Sequence, residues 1–132
     1  MLKGKIQSLF NKEYVAEVYG IEGHAIYMKY YEDGSLRSQI DKGGADRARY
    51  FCAYNIIKGI QEIHRLNFVH SDIKASNILV NKMGSFLTCF ISDFGAARLK
   101  VKTILADSIY PWVYPIQFFL KSLFVLKMIF SF

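Results

Sequence analysis

Phe68-Val69-His70-Ser71-Asp72-Ile73-Lys74-Ala75-Ser76-Asn77-Ile78-Leu79-Val80 is followed further on by Asp93-Phe94-Gly95, and these two stretches decide the fold. Asp72, Lys74 and Asn77 share one short segment, and Asp93 stands 21 positions beyond Asp72. Between them, Ile78-Leu79-Val80 and Leu87 to Ile91 read as short apolar strands around Asn81-Lys82-Met83-Gly84, a turn composition. A hairpin there returns Asp93 to the loop that holds Asp72. Taken singly, an Asp, an Asn or a Lys in a loop is an ordinary turn or surface residue. The conjunction carries the information.

In residue type and spacing the two stretches resemble the catalytic loop and the magnesium-binding loop of the eukaryotic protein-kinase family. Seven positions are specified by that pattern: His70, Asp72, Lys74, Asn77, Asp93, Phe94 and Gly95. With each matched about one time in twenty, the accident occurs on the order of once in a billion starting positions. A lysine two residues after the loop aspartate is similar to Ser/Thr-type rather than Tyr-type kinases. The resemblance implies ATP-dependent phosphoryl transfer to Ser/Thr hydroxyls of a protein substrate, with ATP and Mg2+ as cofactors. That reaction needs an in-line hydroxyl, neutralised phosphates and metal ions held in place. By resemblance, Asp72 accepts or orients the hydroxyl proton, Lys74 faces the γ-phosphate, and Asn77 and Asp93 hold the metal. His70 would pack beneath Phe94 rather than exchange protons. One position departs from the pattern: Ser71 stands where the family usually has Arg. Serine cannot form the charged fork that gathers an activation-loop phosphate, which argues against phosphorylation there as the switch.

Upstream, Ile26-Tyr27-Met28-Lys29-Tyr30-Tyr31-Glu32-Asp33-Gly34-Ser35-Leu36 resembles the last N-lobe strand, hinge and first C-lobe helix of a kinase. On that match Met28 is the gatekeeper behind the adenine, and the backbone of Lys29, Tyr30 and Tyr31 hydrogen-bonds the base. Leu79 would lie under the adenine ring. Gly34 breaks the chain and Ser35 caps a helix. Residues 3–10 read as a helix end with Ile6, Leu9 and Phe10 at helical spacing. Tyr14 to Ile21 and His24 to Tyr30 read as a hairpin turning at Glu22-Gly23. Two strands alone are marginal in water, so Val15, Val18, Ile26 and Tyr27 are expected to be partly exposed. Ala45 to Leu66 is the clearest helix, with Tyr50, Ala53, Tyr54, Ile57, Ile60 and His64 as its periodic face and Asn67 as a left-handed cap.

Other family parts are missing from these residues. No Gly-x-Gly-x-x-Gly loop and no Val-Ala-Ile-Lys strand precede residue 14. The helix glutamate of the family would fall near Lys3, where there is no carboxylate. Trp112-Val113-Tyr114-Pro115-Ile116 is similar to the Trp-x-Ala-Pro-Glu that closes an activation segment, with Ala and Glu replaced. The expectation is therefore a kinase fragment that is weak or inactive as it stands. The alternatives are a pseudokinase-like nucleotide- or partner-binding module, or a non-functional truncated product. Residues 116–132 form an apolar tail with three readings. It could pack on the C-lobe, lie on a membrane surface, or be what out-of-frame AT-rich DNA encodes. It is short for a membrane span and carries Lys121 and Lys127.

The fold class expected is α+β and kinase-like, a partial N-lobe hairpin on a mostly helical partial C-lobe. The expected domain is 1–115, with 1–30 an N-lobe remnant, 31–34 the hinge region and 35–115 the C-lobe part. The net charge is +6 over 132 residues, but the basic residues are scattered. Nucleic acid is accordingly not an expected partner. Cys52 and Cys89 fall in apolar segments and are expected to be reduced, buried core residues. Met1 leads into Leu-Lys-Gly-Lys rather than an apolar signal run, so the expected compartment is cytoplasmic.

Overall fold

The architecture is built around one long helix laid against a two-stranded hairpin. The computed structural model describes residues 2–43, 46–84 and 86–99, together with Lys127. The readings made of the Trp112–Ile116 segment and of the apolar tail fall outside the described residues.

Helix α3, Asp46–Arg65, packs on the strand β5, Phe86–Ile91. Its buried face is Cys52, Ala53, Ile56, Ile60 and Ile63. The periodic face read from sequence is corrected by this, because Tyr50 and Tyr54 are 67% and 53% exposed. Small residues explain the rotation: Cys52, Ala53 and Gly59 let the sheet approach closely, and two bulky phenols would not. A Cβ on Gly59 would sit 2.7 Å from Ile91 Cδ1 and 3.3 Å from the carbonyl oxygen of Tyr14. The buried Asn55 side chain accepts the N–H of Cys89 at 3.1 Å, which satisfies a polar group inside this contact. Cys52 and Cys89 are bonded to each other as a disulfide, with their Cα atoms 5.0 Å apart. They are buried as expected but not reduced. Opposed positions on a helix and a strand this close bring the two sulfurs together, which sequence separation does not reveal.

Strand β4, Ile78–Met83, pairs antiparallel with β5 in register from Ile78↔Ile91 to Met83↔Phe86. Ile78 and Val80 face the core with Leu87, Cys89 and Ile91, the period-two pattern of a sheet buried on one side. The turn runs through Gly84 at φ 63°. Both free edges are occupied, which removes the hazard of unpaired backbone. On one side Val80 N–H donates to the Gly34 carbonyl at 3.0 Å and Lys82 N–H to Asp33 Oδ2 at 2.8 Å. On the other, Ile91 N–H donates to Tyr14 O at 2.8 Å and Ala16 N–H to Ile91 O at 2.9 Å.

That second pairing changes the N-terminal hairpin. Its strands are β1, Val18–Glu22, and β2, Ala25–Met28, joined through Gly23 at φ 58°. Residues 14–16, expected to open the first strand, run beside β5 instead. Val15 is accordingly 1% exposed, against the expectation of partial exposure, while Tyr27 is exposed and Val18 and Ile26 are half-buried. Helix α1, Leu2–Gln7, sends Ile6 into the core, Phe10 following three residues after its end. Gln7 Nε2 donates to Ala16 O at 2.8 Å. Helix α2, Leu36–Asp41, is capped as the sequence suggests, with Ser35 Oγ accepting Ser38 N–H at 3.2 Å. Strands β3, Phe68–Val69, and β6, Arg98–Leu99, pair antiparallel. This small sheet was not anticipated; two residues are too few to show a period.

Candidate functional site

The segment from His70 to Asn77 leaves β3, turns sharply and enters β4 through a 3-10 turn at Ala75–Asn77. Its backbone is held in unusual places. Ser71 has φ 73° and Asp93 has φ 57°, values that side chains other than Gly seldom adopt. Such conformations cost about 1–3 kcal/mol each and persist only where surrounding bonds fix them. Here the fixing bonds can be named.

His70 is 2% exposed, with its ring edge-on to Phe94 at 4.7 Å between centroids. Its Nδ1 accepts the N–H of Asp72 at 3.2 Å. An amide can only donate, so Nδ1 carries no proton and Nε2–H donates to the Ser92 carbonyl at 2.8 Å. The ring is thus a neutral Nε2–H tautomer. Burial lowers its pKa, outweighing the opposing pull of the Ser92 carbonyl and of Asp72 and Asp93. Phe94 is buried beside it, and Phe10 stacks on Phe94 at 5.5 Å. Phe10 is a packing partner the sequence reading placed only as a helical apolar residue.

Asn77 draws the polar groups together. Its Nδ2 donates to the Asp72 carbonyl at 2.9 Å and to Asp72 Oδ2 at 3.0 Å. Lys74 Nζ lies 3.9 Å from the same Oδ2. With its nitrogen committed to Asp72, the amide oxygen is the atom of Asn77 suited to a cation. Ser92 completes the arrangement: its N–H donates to Asn77 O at 2.8 Å while its carbonyl takes the His70 proton. The residue after Ser92 is Asp93, so these two bonds dock the start of Asp93-Phe94-Gly95 on the His70–Asn77 loop. Asp93 Oδ1 accepts Gly95 N–H at 3.2 Å, and its side chain reaches solvent. Sequence reasoning missed Ser92, because its contribution is entirely backbone.

Among the described residues, no group of three or more His, Cys, Asp or Glu side chains is gathered for a metal. The oxygens that these two loops could offer a cation are the amide oxygen of Asn77 and the carboxylate of Asp93. That set fits Mg2+, which takes one or two protein oxygens and completes its shell with waters and phosphates.

The other residues singled out in the sequence lie along β2, the segment after it, and β4. Met28 ends β2 opposite Val18, and Lys29 N–H donates to Glu17 O at 3.0 Å. Tyr30 points outward. Tyr31 turns inward, packing on Phe90 at 5.0 Å with its hydroxyl accepting Glu17 N–H at 3.0 Å. Burial pushes its phenol pKa upward. Leu79 pairs with Phe90 and bridges to Ser35, half-buried beside the Asp33–Ser35 turn. Asp33 fastens this turn to β4 and to α2, through the Lys82 amide and through its carbonyl, which accepts Gln39 Nε2 at 2.8 Å.

Comparison with known proteins gives the family. The family model described as "Protein kinase domain" matches residues 6–110, more than half of the chain. A probable serine/threonine-protein kinase of Dictyostelium discoideum is 36% identical over 98 residues, covering 70% of this chain and 15% of that protein. The serine/threonine-protein kinase CTR1 of Arabidopsis thaliana is 37% identical over 90 residues, 63% of this chain and 11% of that protein. Mitogen-activated protein kinase kinase 9 of the same plant is 33% identical over 101 residues, 76% of this chain and 29% of that protein. The chain thus spans under a third of each of these relatives. A match over so much of the chain, on residues that the fold draws into one loop cluster, is decisive: this chain belongs to the protein kinase family.

Proposed function

We propose that this chain carries the hydroxyl-activating and metal-holding part of a protein Ser/Thr kinase centre. Asp72 takes the proton of a Ser or Thr hydroxyl on a protein substrate as that oxygen bonds to the γ-phosphorus of ATP, whose bond to the β–γ bridging oxygen breaks to release ADP. The bond that Asn77 Nδ2 donates to Oδ2 holds Asp72 in one orientation and leaves the acid group half exposed to an incoming hydroxyl. Lys74, loosely paired with Asp72, is free to swing its ammonium to the γ-phosphate of ATP. Asn77 and Asp93 would hold Mg2+, which when bound neutralises charge between the β- and γ-phosphates. The backbone of Lys29 to Tyr31 would receive adenine beside Met28, over Leu79.

The observation that carries this reading is the Asn77 side chain, which ties the Asp72 carboxylate on one side while the Asn77 carbonyl holds the strand end that presents Asp93. The phosphate-covering Gly-rich loop and the Lys–Glu pair do not occur in residues 1–13. Preorganised charge supplies much of such an enzyme's rate. As an isolated polypeptide the chain should therefore bind ATP·Mg2+ weakly and transfer phosphate near background. Radiolabel transfer from ATP to a generic Ser/Thr substrate checks the rate, and a robust rate abolished by Asp72→Asn would overturn the weak-activity reading. ATP binding measured with and without Mg2+ checks the site. Binding indifferent to both Asn77→Ala and Asp93→Ala would remove it.

A further inference from the structure

We infer that the Cys52–Cys89 bond is a redox clamp on the strand that presents the site. The bond joins α3 to β5 and closes a stretch with a sequence separation of 37, inside which lies the whole loop from His70 to Asn77. Three residues beyond Cys89 comes Ser92, whose backbone holds His70 and Asn77. The covalent anchor is therefore close in chain to the bonds that dock Asp93. Without it, β5 is held to α3 by apolar contacts and by polar ones such as the Asn55–Cys89 hydrogen bond.

Both sulfur-bearing residues are 0% exposed. A reductant thiolate reaches the bond only after α3 and β5 part, so reduction is gated by opening of that contact. The chemistry is a two-electron exchange with a dithiol. The Cys52–Cys89 sulfur–sulfur bond breaks, each cysteine gains a proton, and the dithiol becomes a disulfide. Once reduced, the chain loses the constraint on its unfolded state, and β5 moves more freely on α3. The clamp stands on this geometry alone and does not depend on the phosphoryl-transfer reading.

The test uses the full chain, alkylated in denaturant at lysis so that buried thiols react too, and then analysed by mass. No cysteine should be alkylated before reduction and two should be after dithiothreitol. Reduction should lower the thermal midpoint by roughly 10 °C or more. It should also speed hydrogen exchange of the Ser92 amide about tenfold relative to amides near the α3 C-terminus. The double variant Cys52→Ala, Cys89→Ala should show a midpoint that no longer responds to dithiothreitol; if that variant does not fold, reduction of the unaltered chain decides alone. Two alkylated cysteines before reduction would overturn the clamp. So would a midpoint and a Ser92 exchange rate that reduction leaves unchanged.

Discussion

His70 and Asn77 show what single residues do here. Burial keeps His70 neutral, and its two bonds, one to the Asp72 amide and one to the Ser92 carbonyl, fix which ring nitrogen carries the proton. Its folded pKa lies below the ordinary 6.5, with burial as the first cause. The sign follows from proton binding: as pH falls through 6.5 the unfolded chain takes up the proton first. The contribution of His70 to stability is therefore full above that pH and is lost as pH falls through the depressed folded value. An NMR titration of the His70 ring should give a midpoint below 6.5, and a midpoint at or above that value would contradict the buried neutral tautomer. Asn77→Ala removes both bonds to Asp72 and should cost about 1–3 kcal/mol, read by urea unfolding. Asp72, Lys74, Asn77 and Asp93 can be singled out in the sequence as candidates, because side-chain chemistry selects residue type. Ser92 cannot, because any residue supplies the same backbone N–H and carbonyl.

At the scale of elements, the hairpin of β4 and β5 is the hub. Its strands and its turn at Gly84 were readable from period and composition. What it pairs with was not. Tyr14 to Ala16 read as strand by apolar alternation, and only the folded chain shows them beside Ile91 rather than in the N-terminal hairpin. The α3 face was read only in part for a related reason: Ala53 and Ile60 are buried, whereas Tyr50 and Tyr54 are exposed. Tyrosines at four-residue spacing mimic a buried stripe, yet a phenol rests comfortably at a surface. Gly59→Ala tests the close approach of α3 to β5. The added methyl meets Ile91 and the Tyr14 backbone, so it should destabilise by about 1–3 kcal/mol in chemical denaturation. Wild-type stability would mean that the helix and strand stand far enough apart to admit the methyl. Asp33→Ala removes the acceptor of the Lys82 amide and should cost about 1 kcal/mol, with faster exchange of that amide as its specific sign.

Across the whole molecule, protection should be uneven. The core cluster draws on α3, β4 and β5, together with Ile6, Phe10 and Val15. Strands β1 and β2 lean on it mainly through α1, and Tyr19 and Tyr27 remain exposed. Hydrogen exchange should therefore rank α3 and β5 slowest and the Ala25–Met28 strand fast, with Ala16 on the slow side of that divide. Uniform slow exchange from 14 to 28 would show that the hairpin belongs to the core. Asn77 and Asp93 are proposed to form one cation site beside Asp72. Mn2+ in place of Mg2+, added with ATP to isotopically labelled chain, tests it most directly through paramagnetic broadening of NMR signals. Broadening should centre on the Asn77 side-chain amide and the Asp93 and Gly95 backbone amides, and Asp93→Ala should abolish it. Broadening centred on other carboxylates, or unchanged in the Asp93→Ala chain, would contradict the site.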